Sequence, residues 1–468
     1  DLTFSNSDAS SGATGASSVA LGENTTASGT FSTALGVGTQ ATGQGATALG
    51  SGTVVSGWYA TASGFVTTAQ DLLTLDSALA IGLESNFDIR IARNDQFVAT
   101  NNARPGNANL LPTLSLLGGV NYSNSNVNQE LADGREINRD GAQSVSSNAS
   151  LNLNYVLFSG MGNMNTLKQL NEIQSAAELD YRLTVERNLV NIANDYYEVS
   201  RLFQNSIVTE EAIAVSLDRY ERAKERNVLG SGLKLDLLNA EVDLNSDSVN
   251  YYTNLTELNN AKRNLNATIG IKPSDNFEVD TSIFFQPTLN LDELRNYGLE
   301  NNAQLLISER LKFATDYDLK VAKGGYSPEV SLSGSYGYNR QDNQANFLTY
   351  AQNTGFNGGV SLRWNLFEAQ RRDTRVQNAK LNVDSQNELL RQAQNDFLTN
   401  ITNAYNTYVN SLYVVNMQKR NVVTNELNFE RTQELFSYGQ ITNVQFRDAQ
   451  LNLFQAKATY NNARFLAK

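Results

Sequence analysis

Residues able to carry chemistry are few and of one kind. The chain has no cysteine and no histidine, which removes thiol and imidazole nucleophiles, imidazole bases and the usual zinc ligands. Carboxylates remain, and two of them recur in one setting. Asp236 follows Gly230 and Gly232 in "NVLGSGLKLDLLNA", and Asp448 follows Gly439 in "YGQITNVQFRDAQ". Each lies early in a helix that restarts after glycine, where negative charge suits the helix dipole. No Asp/Glu pair sits in a glycine-rich or pocket-like stretch, so no catalytic residue, metal ligand or cofactor is expected.

The elements that place these acids are unusually long. From Gly160 to Leu229 and from Glu368 to Ser437 there is no proline and almost no glycine, and apolar residues such as Leu167, Leu170, Ile173, Leu179 and Leu183 recur every three or four positions. Seventy helical residues at about 1.5 Å each make a rod of roughly 105 Å. Only a coiled coil or a tube of helices buries so long a stripe. Gly230, Gly232 and Gly439 then end the long helices and turn the chain into shorter returning ones, 233–268 and 442–466. Thr442, just after Gly439, is expected to cap its helix.

The chain is a duplication. "LTLDSALAIGLESN" (73–86) aligns with "LNLDELRNYGLENN" (289–302), Pro112 with Pro328 and Tyr122 with Tyr338. A shifted register then pairs Leu157-Phe158 with Leu366-Phe367, Gly230 with Gly439, Ala240 with Ala449 and Tyr251 with Tyr460. Residues 71–270 and 289–468 are two copies of one unit, and 271–288, with Pro273 and Pro287, links them.

Each copy opens with a helical stretch and then alternates with period two, the mark of a strand. Leu114, Leu116, Val120 and Tyr122 share one parity, as do Leu151, Leu153, Tyr155 and Leu157. The second copy repeats this with Val330, Leu332, Tyr336 and Tyr338, then Phe356, Val360, Leu362, Trp364 and Leu366. The opposite faces carry Ser115, Asn121, Asn152, Ser331, Ser333 and Arg363. An antiparallel sheet with one face in water would show the same pattern.

Four strands, two long hairpins, the duplication, "NYVLFSG" and "RWNLFEA" at the strand-to-helix junctions, and a tip glycine followed by alanine ten residues on together resemble the TolC family of outer-membrane efflux and secretion channels. The resemblance covers residues 71–468 for the most part. It implies a mixed fold, a trimeric 12-stranded membrane β-barrel continuing into a 12-helix periplasmic tube, in the outer membrane of a Gram-negative bacterium. Physics agrees, because four strands cannot close a barrel and an open edge is forbidden in lipid. Three such chains supply an even, twelve-stranded barrel. The apolar parity then faces lipid, with Tyr122, Tyr155, Tyr338 and Trp364 as interfacial aromatics.

The resemblance also implies a passive exit duct for a tripartite efflux pump or type I secretion system. Its partners would be two further copies of the chain, outer-membrane lipid, a periplasmic adaptor (membrane fusion protein) and an inner-membrane RND or ABC transporter. The hairpin tips, Leu229, Gly230, Gly232, Tyr438 and Gly439, would meet the adaptor. Family members close at the tips through carboxylates six and nine residues after the tip glycine, which here gives Asp236, Asn239, Gln445 and Asp448 as the periplasmic gate. The family's gate carries two acidic residues in the second copy, where Gln445 takes one of those places here, and Ile441 stands where the family has arginine. Three like charges around an axis would focus cations in a narrow lumen.

Residues 1–70 differ in kind. Glycine recurs at 15, 22, 29, 36, 43, 50, 57 and 64, with "ALG" at every second repeat, so the period is 14 residues. The stretch resembles the head repeats of trimeric autotransporter adhesins, which implies a left-handed parallel β-roll. It motivates the alternative of a structural or adhesive trimeric cell-surface protein. A net charge of −12 argues against nucleic acid, no apolar run reaches the length of a membrane helix, and Asp1 opens no signal peptide, so the numbering is expected to start at a mature or trimmed terminus. Absence of cysteine suits an exported protein.

Overall fold

The computed structural model describes the chain apart from residues 1–3, 7–11, 22–24, 38, 52–53, 57–60, 66–67, 70, 132–133, 274–276, 284, 286–288 and 345–347. Gly22, Gly57 and Pro287 of the sequence analysis thus lie outside the described residues. The chain forms two compact units, one of residues 1–91, 184–294 and 400–468, the other of 92–183 and 295–399. Each draws on both copies of the repeat.

In the first unit the glycine repeat forms two parallel sheets. One is built from β1 (Phe4–Asn6), β2 (Val19–Leu21), β4 (Thr33–Val37), β6 (Thr47–Ser51) and β8 (Thr61–Phe65). The other is built from β3 (Thr26–Ala27), β5 (Gln40–Ala41), β7 (Val54–Val55) and β9 (Thr68–Ala69). The register stacks Ala20 on Ala34 on Ala48 on Ala62, the 14-residue period made structural. Ala20, Ala27, Ala34, Ala41 and Ala48 fill the interior. A side chain at Gly15 or Gly29 is excluded, because its Cβ would stand 2.2 Å or 2.0 Å from a carbonyl oxygen of the next turn. Ser18 and Ser32 donate to the carbonyls of Gly15 and Gly29, each at 2.6 Å, so buried hydroxyls are satisfied within their own turn.

The rest of that unit packs helices around a small parallel pair, β10 (Asp71–Leu73) with β13 (Phe277–Val279). The 271–288 segment is therefore more than a connector, since its strand closes the core. That core joins α1 (Leu75–Ser85), the middle of α3 (Gly162–Val228) and the end of α4 (Lys234–Ile269) through Ala78, Ile192, Val199, Leu265 and Ile269. Tyr196 is buried within it and bonds to the Leu73 carbonyl at 3.0 Å and to the Asp280 backbone at 3.1 Å. Burial pushes the phenol up to about 12.

The second unit holds the four-stranded antiparallel sheet, in order β11 (Thr113–Glu130), β12 (Glu136–Ser159), β14 (Glu329–Asn343) and β15 (Tyr350–Arg363). Beside it in this unit run the greater part of α2 (Phe87–Asn102) and of α5 (Leu291–Asn301), all of α6 (Ala303–Gly324), and the start of α7 (Arg371–Ser437), whose far end belongs with α8 (Asn443–Leu466) in the first unit. The β12–β14 pairing joins copy one to copy two. Strand β12 is far longer than the 151–157 alternation expected, because polar residues 136–150 extend it without an apolar signature.

Candidate gate and membrane-facing surfaces

Cross-strand register turns the alternation into two faces. Leu116, Leu151, Tyr336 and Phe356 form one row, and Ser115, Asn152, Ser335 and Asn357 the adjacent row on the opposite face. The apolar row is open to solvent in the chain, with Leu116 77% and Phe356 76% exposed. Strands β11 and β15 are the outer members, and each has a partner on one side alone among the described residues. A soluble sheet would bury that apolar face.

Two expectations about this sheet need correction. A bulge between Val156 and Phe158 shifts the register, so Phe158 rather than Leu157 pairs with Val330. One inserted residue reverses which parity faces which side. Strand β15 ends at Arg363, so Trp364 and Leu366 lie beyond it, and the Trp364 indole donates to the Tyr326 carbonyl at 3.1 Å. Tyr122 and Tyr338 are exposed on their strands and Tyr155 is half-buried.

At the hairpin tips the glycines do what their spacing predicts. Gly230 and Gly439 both have φ +71°, the left-handed conformation that ends a helix cheaply only for glycine. The Ser231 and Gly232 amides donate to the Arg226 carbonyl, each at 2.9 Å, and the Gln440 amide donates to Leu435 at 3.0 Å, so orphan carbonyls are satisfied. Leu229 and Tyr438 project into solvent, 79% and 71% exposed. The tips restart differently. Leu233 caps α4 with no side-chain bond, whereas Thr442 and Gln445 form a reciprocal capping box on α8.

The four sequence-predicted gate residues lie on two helices, Asp236 and Asn239 on α4 and Gln445 and Asp448 on α8. Asp236 is half-buried in the first turn of α4 and Asn239 is exposed one turn later. On α8 Gln445 and Asp448 share the exposed side, with Phe446, Ala449 and Gln450 turned inward. The Gln445 side-chain oxygen accepts from the Thr442 amide at 2.9 Å.

A polar network that sequence reasoning missed lies deeper. Arg447 of α8 grips Asp247 of α4 with two hydrogen bonds, 2.6 Å and 2.8 Å, and lies 3.5 Å from Asp243. Arg219 of α3 pairs with Asp243, Ser216 donates to Asp247, and Gln450 donates to Ser216 at 2.9 Å. Arg219, Asp247 and Gln450 are 3%, 6% and 0% exposed. Burial alone lowers the Arg447 pKa, but the Asp247 bond and the Asp247 and Asp243 charges more than offset it and hold it above the ordinary arginine value. The available signal was paired polar spacing inside apolar stripes: Ser216 and Arg219, Asp243 and Asp247, Arg447 and Gln450 are each three or four residues apart on one helix face. Phe429, Phe446 and Leu453 pack below it, with Phe429 and Phe446 ring centres 5.5 Å apart.

Known proteins place this architecture. Residues 13–39 and 41–65 match two copies of the YadA head domain repeat, and residues 79–271 and 294–466 match the outer membrane efflux protein family. Outer membrane protein TolC of Salmonella enteritidis is 23% identical over 393 residues, 81% of this chain and 77% of that protein. The cation efflux system protein CusC of Escherichia coli O157:H7 is 22% identical over 398 residues, 81% of this chain and 79% of that protein. The crystal structure of the outer membrane protein VceC of Vibrio cholerae shares the fold, with a TM-score of 0.69 at 17% identity over 84% of this chain and 93% of that one. With both halves of its duplicated part matched, the chain belongs to the outer membrane efflux protein family, channels rather than enzymes.

Proposed function

We propose that three copies of this chain form the exit duct of a tripartite efflux pump or type I secretion system in the outer membrane of a Gram-negative bacterium. The observation that carries this reading is the four-stranded sheet whose apolar face and outer edges have no partner among the described residues. Three sheets joined edge to edge satisfy every backbone group and turn the apolar rows to lipid. The hairpins then form the periplasmic tube. A periplasmic adaptor and an inner-membrane RND or ABC transporter dock at the tips around Leu229, Gly230, Gly232, Tyr438 and Gly439. Asp448 and the Gln445 amide face the lumen there, with Asp236 and Asn239 beside them, and three copies of each make a cation-preferring constriction.

Native mass measurement of detergent-purified protein should give a trimer, and the trimer should conduct ions across a planar bilayer. A stable monomer would overturn the architecture. The YadA-like repeats favour a second reading, a structural or adhesive trimeric surface protein, which requires a trimer without conductance. On the duct reading, removing residues 1–68 leaves a conducting trimer, because the strands and hairpins are complete without the roll.

A further inference from the structure

The membrane-facing sheet has one positively charged end. Residues 103–118, 151–171, 320–336 and 358–375 surround the end joined to the helices, and they hold eight Lys and Arg against three Asp and Glu, a net charge of +5 in a chain of −12. At the opposite end Glu130, Glu136, Asp140 and Asp342 outnumber Arg135, Arg139 and Arg340. Copy two supplies six of the eight basic residues and all three acids. Arg372 is committed to structure, its guanidinium 4.9 Å from the Tyr326 ring centre and bonded to the Asn365 carbonyl at 2.6 Å. Arg371 and Arg375 are exposed around Glu368, the first bonding its carbonyl at 3.3 Å and the second its carboxylate at 2.8 Å. An Asn365 hydrogen bond and the surrounding arginines hold the Glu368 carboxyl below the usual range. Each arginine has five N–H donors and uses few of them here. A hollow of about 660 Å³ opens between Glu368, Gln370, Arg371, Thr374 and Arg375. Beside it Leu366 and Phe367 stand exposed, Phe367 at 84%.

We propose that this junction is a phospholipid-binding surface. Arg371 and Arg375 take the headgroup phosphate of the leaflet on the helix side of the membrane, and Leu366 and Phe367 enter its acyl region. The proposal rests on the reading of the sheet as membrane-spanning. Guanidinium groups match phosphate oxygens in pairs, and basic residues beside a membrane attract anionic lipid by about five-fold each. The first copy lacks the feature, with Gly162, Asn163 and Thr166 where the second has Arg371, Arg372 and Arg375.

The test offers detergent-purified trimers equal amounts of phosphatidylglycerol and phosphatidylcholine and counts retained lipids by native mass spectrometry. Wild type should prefer phosphatidylglycerol; Arg371→Gln with Arg375→Gln should lose most of that preference, roughly five-fold per arginine removed. Arg371→Lys with Arg375→Lys should keep it. Equal preference in the wild-type and glutamine forms, with trimer yield intact, overturns the proposal. Absence of conductance by the wild type in bilayers of either lipid overturns the membrane-spanning reading instead.

Discussion

The two copies of the repeat build hairpins with one backbone and two chemistries. Both tips turn at a glycine with φ +71°, yet copy one restarts its helix uncapped at Leu233 while copy two restarts with the Thr442–Gln445 box. Farther from the tips the divergence becomes complementary. Asp243 and Asp247 belong to copy one, and Arg447 and Gln450 to copy two; by the repeat register the counterparts of Asp243, Asp247 and Arg447 are Asn452, Ala456 and Leu238. Duplication thus supplied two like surfaces, and substitution made them unlike in a way that ties one hairpin to the other. Tyr196 and its counterpart Tyr405 show the same divergence by environment alone. Tyr196 bonds three backbone groups beside the β10–β13 pair, whereas Tyr405 is half-buried in an apolar groove with Phe285, Leu289 and Tyr408.

The comparison is broken most severely by separating the complementary charges. Arg447→Leu leaves Asp247 buried without its bidentate partner and should cost about 3–5 kcal/mol, read as a lower thermal unfolding temperature of the purified protein. Adding Asp247→Leu should recover most of the loss. If the double variant is as unstable as the single one, the pair does not join the hairpins.

Next in size are the tyrosines. Tyr196→Phe strands buried backbone groups and should cost about 1–3 kcal/mol, against little for Tyr405→Phe. The phenol titrates higher in the fold than in the unfolded chain, so folding retains its proton. Its stabilisation is complete below pH 10 and lost as pH rises towards about 12. Chemical denaturation across that window should show a decline in wild type that Tyr196→Phe lacks.

The caps come third. Thr442→Ala should cost about 1 kcal/mol and Leu233→Asp should add a similar amount at the other tip. Amide hydrogen exchange at residues 443–447 and 234–238 should therefore speed up in the first variant and slow down in the second. The smallest change is functional. Asp448→Ala should weaken cation selectivity in planar bilayers without altering trimer yield, and Asp236→Ala, half-buried, should do less. Unchanged selectivity and divalent block in Asp448→Ala would leave the acid as a dipole partner of its helix.

The sequence by itself determined the repeats and the elements. Apolar spacing from Leu167 onward marked a helix that runs 67 residues, the tip glycines marked its end, and the 14-residue glycine period became the stacked alanines of the roll. Each of these is a local periodicity, written along a single stretch of chain. The tertiary structure alone decided what has no local trace. The bulge at Val156 depends on which strand lies alongside β12, and the long polar reach of β12 on the partner that pairs it. The parallel strand inside the linker depends on Asp71–Leu73, some two hundred residues earlier. Arg447 shares a face with Gln450 in the sequence, yet nothing along its own helix says that Asp247 will be its partner. Only packing of α8 against α3 and α4 removes it from water, and burial is what makes a charge demand a particular partner.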